Sequence, residues 1–242
     1  MIKKLALTFA LAICLSFMVI GARGHNPGYE VVAVYGSTPT IDGIINIHEW
    51  SDAASVFFNN TKVFVKQDGI NLYIGFNNSE TQFHHDDAVN ILIDVDHDGS
   101  LTLQSDDVGL GVYRDGTLIE VNVTGGTPTI TEVSGWTAVV NSTFDMWQVE
   151  FNITYSKINA VAEVEKTIGV AFACFRGLDG SPNVFSWPPG YTEIVGNPSK
   201  WGDITSEGYN WIPEFPSWII LPALLVIATL TTLLRKRKNI YL

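Results

Sequence analysis

Short runs of β-branched and aromatic residues recur along most of this chain, and segments containing Gly, Pro and Asp separate them. This pattern is typical of β-strands joined by turns. Asp68-Gly69 and Asp115-Gly116 each separate two alternating runs, which predicts two antiparallel hairpins with two-residue type I′ turns. The predicted strands cover residues 31–35, 62–67, 70–76, 88–95, 109–114, 117–123, 137–140, 146–154 and 167–175.

Helical periodicity is confined to two brief pieces, residues 46–53 and 155–164, each of about two turns. Residues 25–204 contain eight to ten predicted strands and no internal repeat, which favours one all-β domain. We therefore predict an antiparallel, jelly-roll-like β-sandwich over residues 25–204. A closed barrel is the architectural alternative, because strand number alone does not separate the two.

The N-terminus has the composition of an export signal. Lys3 and Lys4 make residues 1–4 a short basic start, residues 5–21 are an unbroken apolar run, and the small residues Ala22 and Gly24 occupy the −3 and −1 positions of a cleavage site. The sequence thus predicts a signal peptide over residues 1–24 with cleavage after Gly24. A retained N-terminal anchor is the alternative reading of the same run.

Near the C-terminus, residues 215–234 carry no charge and are followed at once by the basic sequence RKRK. That length suffices to cross a bilayer, and the basic cluster places its end in the cytoplasm. We predict a linker over residues 205–214, a transmembrane helix over 215–234 and a cytoplasmic tail over 235–242. The protein would then be a single-pass protein of the cell membrane with an extracellular ectodomain. The sequence PEFPSW, the apolar span and the basic tail together resemble archaeal surface-protein tails of the PEF-CTERM type.

The exported part is strongly acidic. Seven of the chain's 14 basic residues and one of its 25 acidic residues lie outside residues 25–211, so this part carries a net charge of about −17. Such a surface repels nucleic acid and anionic lipid and attracts divalent cations. A nucleic-acid partner is therefore not expected.

The exported part holds a single cysteine, Cys174, so no internal disulfide is predicted. It also holds five acceptor sequences for N-glycosylation, which would suit a glycoprotein surface. These acceptors are Asn59, Asn77, Asn122, Asn141 and Asn152.

Five segments occur in an order that resembles family 9 carbohydrate-binding modules and related domains of the DOMON type. They are TPTIDGIINIHEWSDAA (38–54), INLYIGFNNSE (70–80), HHDDAVNILIDVDHDG (84–99), WQVEFNITYSKI (147–158) and NPSKWGDI (197–204), the last as a closing strand. The resemblance implies a non-catalytic β-sandwich that binds sugar, often with a structural calcium ion. Trp50, Trp147 and Trp201 are expected in its core.

The segment AVNILIDVDHDGS combines a strand with an acidic loop. Asp94, Asp96, Asp98 and Gly99 match the first half of a D-x-D-x-D-G calcium loop, but its twelfth position is Ser105 instead of Glu. We predict a structural calcium ion at Asp94, Asp96 and Asp98, with further oxygen ligands from Asp86 or Asp87. A solvated acidic turn is the alternative.

Sugar rings stack on exposed aromatic side chains, while amide, carboxylate and guanidinium groups bond their hydroxyls. Two loops offer such groups. Where the resemblance implies a Trp before the acidic pair, this chain has Phe83, His84 and His85; the second loop has aromatic residues on both sides of a Pro-Pro-Gly turn. The predicted ligand-binding residues are Trp187, Tyr191, Phe83, His85 and Arg176, and Trp136 is a weaker third position. Packing at the sandwich edge is the alternative for Trp187, and pairing with a nearby acidic residue is the alternative for Arg176.

The sequence contains no nucleophile elbow, phosphate loop or carboxylate pair set among aromatic residues, so no enzyme is predicted. One alternative function is a haem b electron-transfer domain of the DOMON type, with Met146 and a histidine as iron ligands, although Met146 better suits the core. Another is an envelope or adhesion module without sugar specificity. We predict a non-catalytic, membrane-anchored module that binds a polysaccharide or glycan on its rim.

Overall fold

The structure is a computed structural model that describes residues 25–79, 84, 86–143, 146–177 and 183–206. Within these ranges the chain forms thirteen strands, two short helices and one 3-10 turn (Pro198–Lys200). The helices are α1 (Ile47–Trp50) and α2 (Tyr191–Ile194). The strands are β1 (Glu30–Tyr35), β2 (Ala54–Phe58), β3 (Thr61–Gln67), β4 (Asn71–Asn78), β5 (Ala88–Asp94), β6 (Asp107–Tyr113), β7 (Leu118–Thr124), β8 (Thr127–Thr131), β9 (Trp136–Ser142), β10 (Trp147–Thr154), β11 (Lys166–Arg176), β12 (Asn183–Trp187) and β13 (Gly202–Ser206).

The strands form two layers that are continuous through β1. One layer has the order β8-β7-β6-β5-β11-β13-β1, with β12 also paired to β11. The other has the order β1-β3-β4-β10-β9, with β2 paired to β3. The all-β prediction is confirmed, and the curled sheet is consistent with a β-sandwich. One correction concerns β1, which runs parallel to both β13 and β3, whereas the other pairings are antiparallel.

The core lies between the two layers, where alternate residues of each strand meet. Phe76 of β4 packs in one layer against Phe151 of β10 and contacts Phe172 of β11 from the other layer, each with ring centroids 5.7 Å apart. In β5, Val89, Ile91 and Ile93 are fully buried, as their alternation predicts. Trp50, Trp147 and Trp201 are also buried, which confirms their expected place.

Both predicted hairpins are present, but their turns differ from the predicted type. A type I′ turn needs positive φ at both central residues. In the β3–β4 turn only Gly69 has positive φ, and Asp68 stands before the loop, where its carboxylate accepts hydrogen bonds from the backbone N–H groups of Ile70 and Asn71. In the β6–β7 turn only Gly116 has positive φ, and its N–H bonds the carbonyl of Tyr113. Asp115 likewise accepts a hydrogen bond from the Thr117 N–H, so in both turns the aspartate side chain holds the following backbone.

The two predicted helical pieces have different outcomes. Residues 46–53 include α1, whose N-terminus is capped by the Asn46 side chain accepting from the His48 N–H. Residues 155–164 form successive turns instead of a helix, and Asn159 and Glu163 there have positive φ. Left-handed backbone at two positions interrupts helical hydrogen bonding, so the prediction of a second helix is wrong.

The predicted signal peptide (1–24) and transmembrane helix (215–234) lie outside the described residues, as do the basic tail and residues 207–214 of the linker. In the part of the chain that the structure describes, no helix has both the length and the apolar character needed to cross a membrane.

Candidate functional site: an aromatic cleft at the sandwich edge

A cleft of about 730 Å³ lies where β2 of one layer approaches β12 of the other. Its lining is mostly aromatic and small: Tyr29, Phe57, Phe58, Asn59, Val184, Phe185, Ser186, Trp187, Pro189, Gly190, Tyr191 and Thr192. The cleft thus unites Trp187 and Tyr191 from the sequence prediction with a second set of rings from β2. Concave sites with apolar walls and a few polar groups are typical of small-ligand binding.

Trp187 contributes less to this cleft than its sequence position suggests. Its side chain is only 8% exposed, it stacks on Phe172 at 5.5 Å between centroids and 27° between planes, and Tyr29 packs on it edge-on. Register explains the burial, because Trp187 pairs with Phe172, whose side chain points inward. Trp187 is therefore a core residue that borders the cleft, not the open stacking surface expected from the sequence.

Tyr191 is half-buried at the first position of α2. Its ring meets Phe175 edge-on at 5.1 Å, which holds it at the rim of the cleft. Burial raises the pKa of its phenol, so the hydroxyl stays protonated and can donate a hydrogen bond at neutral pH.

The sequence prediction missed the most exposed ring of the cleft. Phe57 is 68% exposed on β2, and Phe185 of β12 is half-buried in the same lining. The run ASVFF before Asn59-Asn60 has the β-branched and aromatic composition of a strand, and it precedes the next strand by only a two-residue turn. That signal identifies β2 in retrospect.

Arg176 supplies positive charge close to these rings. Its guanidinium carbon lies 5.1 Å from the centroid of the Phe185 ring, a cation–π contact. With its amide oxygen turned toward Arg176, Asn59 accepts hydrogen bonds from both terminal guanidinium nitrogens at 3.2 Å. Arg176 and Asn59 thus place hydrogen-bonding groups beside the aromatic wall. The role of Arg176 as a donor to sugar hydroxyls stays a prediction.

Phe83 and His85, the other predicted sugar contacts, lie outside the described residues. Their neighbours His84 and Asp86 pack close to Gly177, directly after Arg176. Trp136, the third candidate, is buried, stacks on Phe151 and donates its indole N–H to Glu120. Its role is therefore structural.

A second concavity, of about 720 Å³, occupies the outer face of β5, β6 and β7. Gly109 and Gly111 form part of its floor, and Tyr113, Phe175 and Tyr191 stand among its lining residues. A side chain at Gly111 would collide with the Asn90 amide, so glycine keeps this groove open. Tyr191 borders both the groove and the cleft.

The acidic loop brings Asp94 and Asp96 together with Asp106, whose carboxylate oxygens lie within 4.8 Å of one another. Asp98 is turned elsewhere, accepting hydrogen bonds from Ser100 N–H and the Gln104 amide. Burial and the negative charge of Asp106 raise the pKa of Asp96 to about 6. This repulsion, and a donor set made of oxygens, fit a hard cation.

Two other aspartates of the calcium prediction, Asp87 and Asp94, already have hydrogen-bond partners within the protein. Asp87, proposed as an additional ligand, instead forms a buried ion pair with Arg114 at 2.9 Å. Asp94 already accepts hydrogen bonds from the backbone N–H groups of His97 and Gly99. Burial raises the pKa of Asp94, but the hydrogen bond from His25 and these backbone bonds outweigh it and lower the pKa. Asp94 is thus ionised, and its hydrogen bonds hold the loop that follows β5.

Met146, the candidate haem ligand, is exposed just before β10 and does not fill the core as expected. A haem needs an apolar slot around its iron, and an exposed position at the start of a strand does not provide one.

The fold is similar to those of solved carbohydrate-binding modules. A family 9 module from Caldicellulosiruptor kristjanssonii, solved in complex with cellotriose, superposes with a TM-score of 0.61 at 18% identity, covering 77% of this chain and 98% of that one. A family 9 module from the same organism in complex with glucose gives a TM-score of 0.60 at 18% identity, covering 76% of this chain and 99% of that one. A candidate carbohydrate-binding protein from Bacteroides uniformis gives 0.51 at 12% identity, covering 74% and 98%.

No protein-family model and no curated protein sequence matches this chain. At these identities the likeness to the solved structures extends to the fold.

Proposed function

We propose that this protein is a non-catalytic module that binds carbohydrate in the cleft between β2 and β12. The observation that carries the proposal is the exposed ring of Phe57 in one lining with Phe185, beside the hydrogen-bonding pair Arg176 and Asn59. Aromatic faces bind the C–H surfaces of sugars, and amide and guanidinium groups bond their hydroxyls. The sugar-bound complexes of the similar modules support the same function.

A neutral sugar suits this site best. Residues 25–211 carry a net charge of about −17, which repels anionic polysaccharides at a distance. Arg176 places one positive charge beside the cleft, but this charge is already included in the net value of about −17 and does not reverse it. We therefore expect uncharged oligosaccharides or polysaccharides, such as glucans, as ligands.

The test is a binding measurement on the purified full-length chain with insoluble glucans and with cello-oligosaccharides. Phe57→Ala should weaken binding roughly twofold to twelvefold, the loss expected for one aromatic contact of about 0.5–1.5 kcal/mol. Ile70→Ala is a matched control, because Ile70 is also 68% exposed and lies in the β3–β4 turn, away from the cleft. If neither glucans nor a wider glycan panel is retained by the wild-type protein, the proposal fails and an envelope module without sugar specificity takes its place.

We also propose a structural calcium ion held by Asp94, Asp96 and Asp106. Bound there, the ion would fix the loop between β5 and β6 and neutralise the repulsion among these carboxylates. The proposal replaces Asp98 by Asp106, because the carboxylate oxygens that lie within 4.8 Å of one another are those of Asp94, Asp96 and Asp106.

Attachment to the outer face of the cell membrane is a further proposal that rests on the sequence of residues 215–242. Cell fractionation with protease shaving tests it: the module should be lost from intact cells while the basic tail stays protected. Release of the intact protein without detergent would contradict it.

A further inference from the structure

Three side chains that are distant in sequence meet on the outer face of the β11–β13 layer. Nδ1 of His25 and Nε2 of His97 each lie 3.0 Å from the same oxygen, Oδ1 of Asp203. The three atoms all lie within 4.8 Å of one another. Two ligands held about 2.0–2.1 Å from one metal ion, at about 90–110° to each other, stand roughly 3 Å apart. The spacing therefore suits ligands of a single ion.

The main evidence for a metal site is the Nδ1 atom of His25. Its side chain is 0% exposed, and Nδ1 makes no hydrogen bond although Asp203 is only 3.0 Å away. A buried polar atom without a hydrogen bond is costly, and native structures rarely keep one without a functional reason. A metal ion would satisfy this nitrogen.

The opposite ring nitrogen of His25 is fixed in the manner of a metal ligand. Nε2 lies 2.9 Å from Oδ2 of Asp94, a carboxylate held in place by the N–H groups of His97 and Gly99. Because an ionised carboxylate only accepts hydrogen bonds, Nε2 is the donor to Asp94. In the neutral imidazole Nδ1 then carries the lone pair, which faces Asp203. A carboxylate behind a ligating histidine commonly orients the ring and increases its basicity.

Strand β11, which lies against the imidazole of His25, leaves space for this ring. A Cβ atom at Gly169 of β11 would collide with the imidazole of His25. Gly169 has no positive φ, so the need is for space and not for a special backbone conformation. Glycine thus leaves the recess in which His25 lies.

We propose that His25 Nδ1, His97 Nε2 and Asp203 Oδ1 bind one divalent transition-metal ion. Two imidazoles and one carboxylate are the donor set of Cu²⁺ and Zn²⁺ sites, whereas Ca²⁺ and Mg²⁺ prefer oxygen ligands alone. Of the two, Cu²⁺ is expected to bind more tightly. The side chains of His97 and Asp203 are 21% and 20% exposed, so the ion is accessible to solvent on one side and keeps a position for water.

The experiment is a titration of the metal-stripped full-length protein with Cu²⁺ and with Zn²⁺ against a chromophoric competitor, with excess Ca²⁺ present to occupy the acidic loop. One equivalent should bind, and the Cu²⁺ form should show imidazole-nitrogen hyperfine coupling in its EPR spectrum. His97→Gln should weaken binding at least roughly tenfold and change that coupling. His48→Gln is the matched control, because His48 is exposed on α1 and should behave as wild type.

Two results would overturn the proposal. One is equal affinity of the wild-type and His97→Gln proteins, which would leave His25, His97 and Asp203 as a hydrogen-bonded cluster only. The other is loss of binding in Asp96→Asn with none in His97→Gln, which would place the ion in the acidic loop. Since His97 is partly exposed, its variant is expected to fold, and circular dichroism checks this. Sugar binding is measured separately, so failure of the cleft proposal leaves this one testable.

Discussion

The indole N–H of Trp50 donates a 2.7 Å hydrogen bond to the fully buried carboxylate of Glu150, 100 residues later in the chain. The same carboxylate accepts bonds from the backbone N–H groups of Asp42 and Gly43. A single acid on β10 thus fastens both the Asp-Gly turn and α1 to the outer face of its sheet. This explains physically why the opening segment of the resemblance combines Asp-Gly with a following Trp.

Trp50→Phe should destabilise the protein by about 1–3 kcal/mol, because it removes one donor from a buried carboxylate whose pKa burial already raises. Urea denaturation followed by circular dichroism measures the loss. Glu150→Gln and the double variant complete a thermodynamic cycle. A strictly additive double variant would show that the two side chains do not interact.

Stability should fall steeply in acid through Glu120. This residue is 2% exposed; burial opposes its ionisation, but hydrogen bonds from Lys157, Ser134 N–H, Asn122 and Trp136 outweigh that effect and lower its pKa to about 2. A lowered pKa in the folded state stabilises the protein above the unfolded pKa of 4.5, and this contribution is lost as the pH falls from 4.5 toward 2. The loss should be about 3 kcal/mol.

Glu120→Gln provides the comparison for this pH dependence. Its free energy of unfolding should be lower than that of wild type at pH 7, and the two curves should converge near pH 2. Parallel curves across this range would show that Glu120 titrates normally.

The sequence predicted most of the strands that pack on the core, and the strands that it missed lie at sheet edges. All nine predicted runs are strands, because burial on one or both faces selects the apolar patterns that reveal them. The segments β2, β8 and β12 were missed. All five residues of β8 are exposed, so nothing in its sequence has to alternate. The parallel pairing of β1 was also missed, because its partners are 30 or more residues away and leave no local signal.

The candidate site residues were harder to predict than the strands, because strand pairing brings them together. Sequence composition identified Trp187 and Tyr191, but only the pairing of Trp187 with Phe172 shows that its ring points inward. Phe57 escaped notice because it lies on an unpredicted edge strand. Asp203 follows His97 by 106 residues, so no spacing rule connects them. Sites assembled across a sheet are properties of the topology.

Calcium should stabilise the folded protein if Asp94, Asp96 and Asp106 hold it. At a concentration about 100 times the Kd, binding adds about 2.7 kcal/mol, which for a domain of this size raises Tm by roughly 5 °C or more. Differential scanning calorimetry with calcium and with chelator measures the shift. Asp106→Asn should abolish most of it, whereas Asp98→Asn should keep it. If Asp98→Asn abolishes the shift and Asp106→Asn keeps it, Asp98 is the ligand instead.

Gly169→Ala should separate transition-metal binding from folding. The added methyl group displaces the His25 ring, so affinity for Cu²⁺ should fall at least roughly tenfold, as for loss of a supporting contact. Glucan binding should stay unchanged, because Gly169 does not line the cleft. Competition titration and the glucan assay on one preparation compare the two. Unchanged Cu²⁺ affinity would mean that His25 is not a ligand.

Cleavage of the predicted signal peptide should increase the affinity for Cu²⁺ at the site formed by His25, His97 and Asp203. Cleavage at the predicted position after Gly24 would make His25 the first residue, and its α-amine and Nδ1 could then close a six-membered chelate ring on one ion. Amine and imidazole nitrogens both suit Cu²⁺. The processed chain, identified by its intact mass, should therefore bind Cu²⁺ at least roughly tenfold more tightly than a chain with one alanine added before His25. Equal affinities would restrict the ligands to the three side chains, since the added residue moves the amine away and leaves the imidazoles and the carboxylate unchanged.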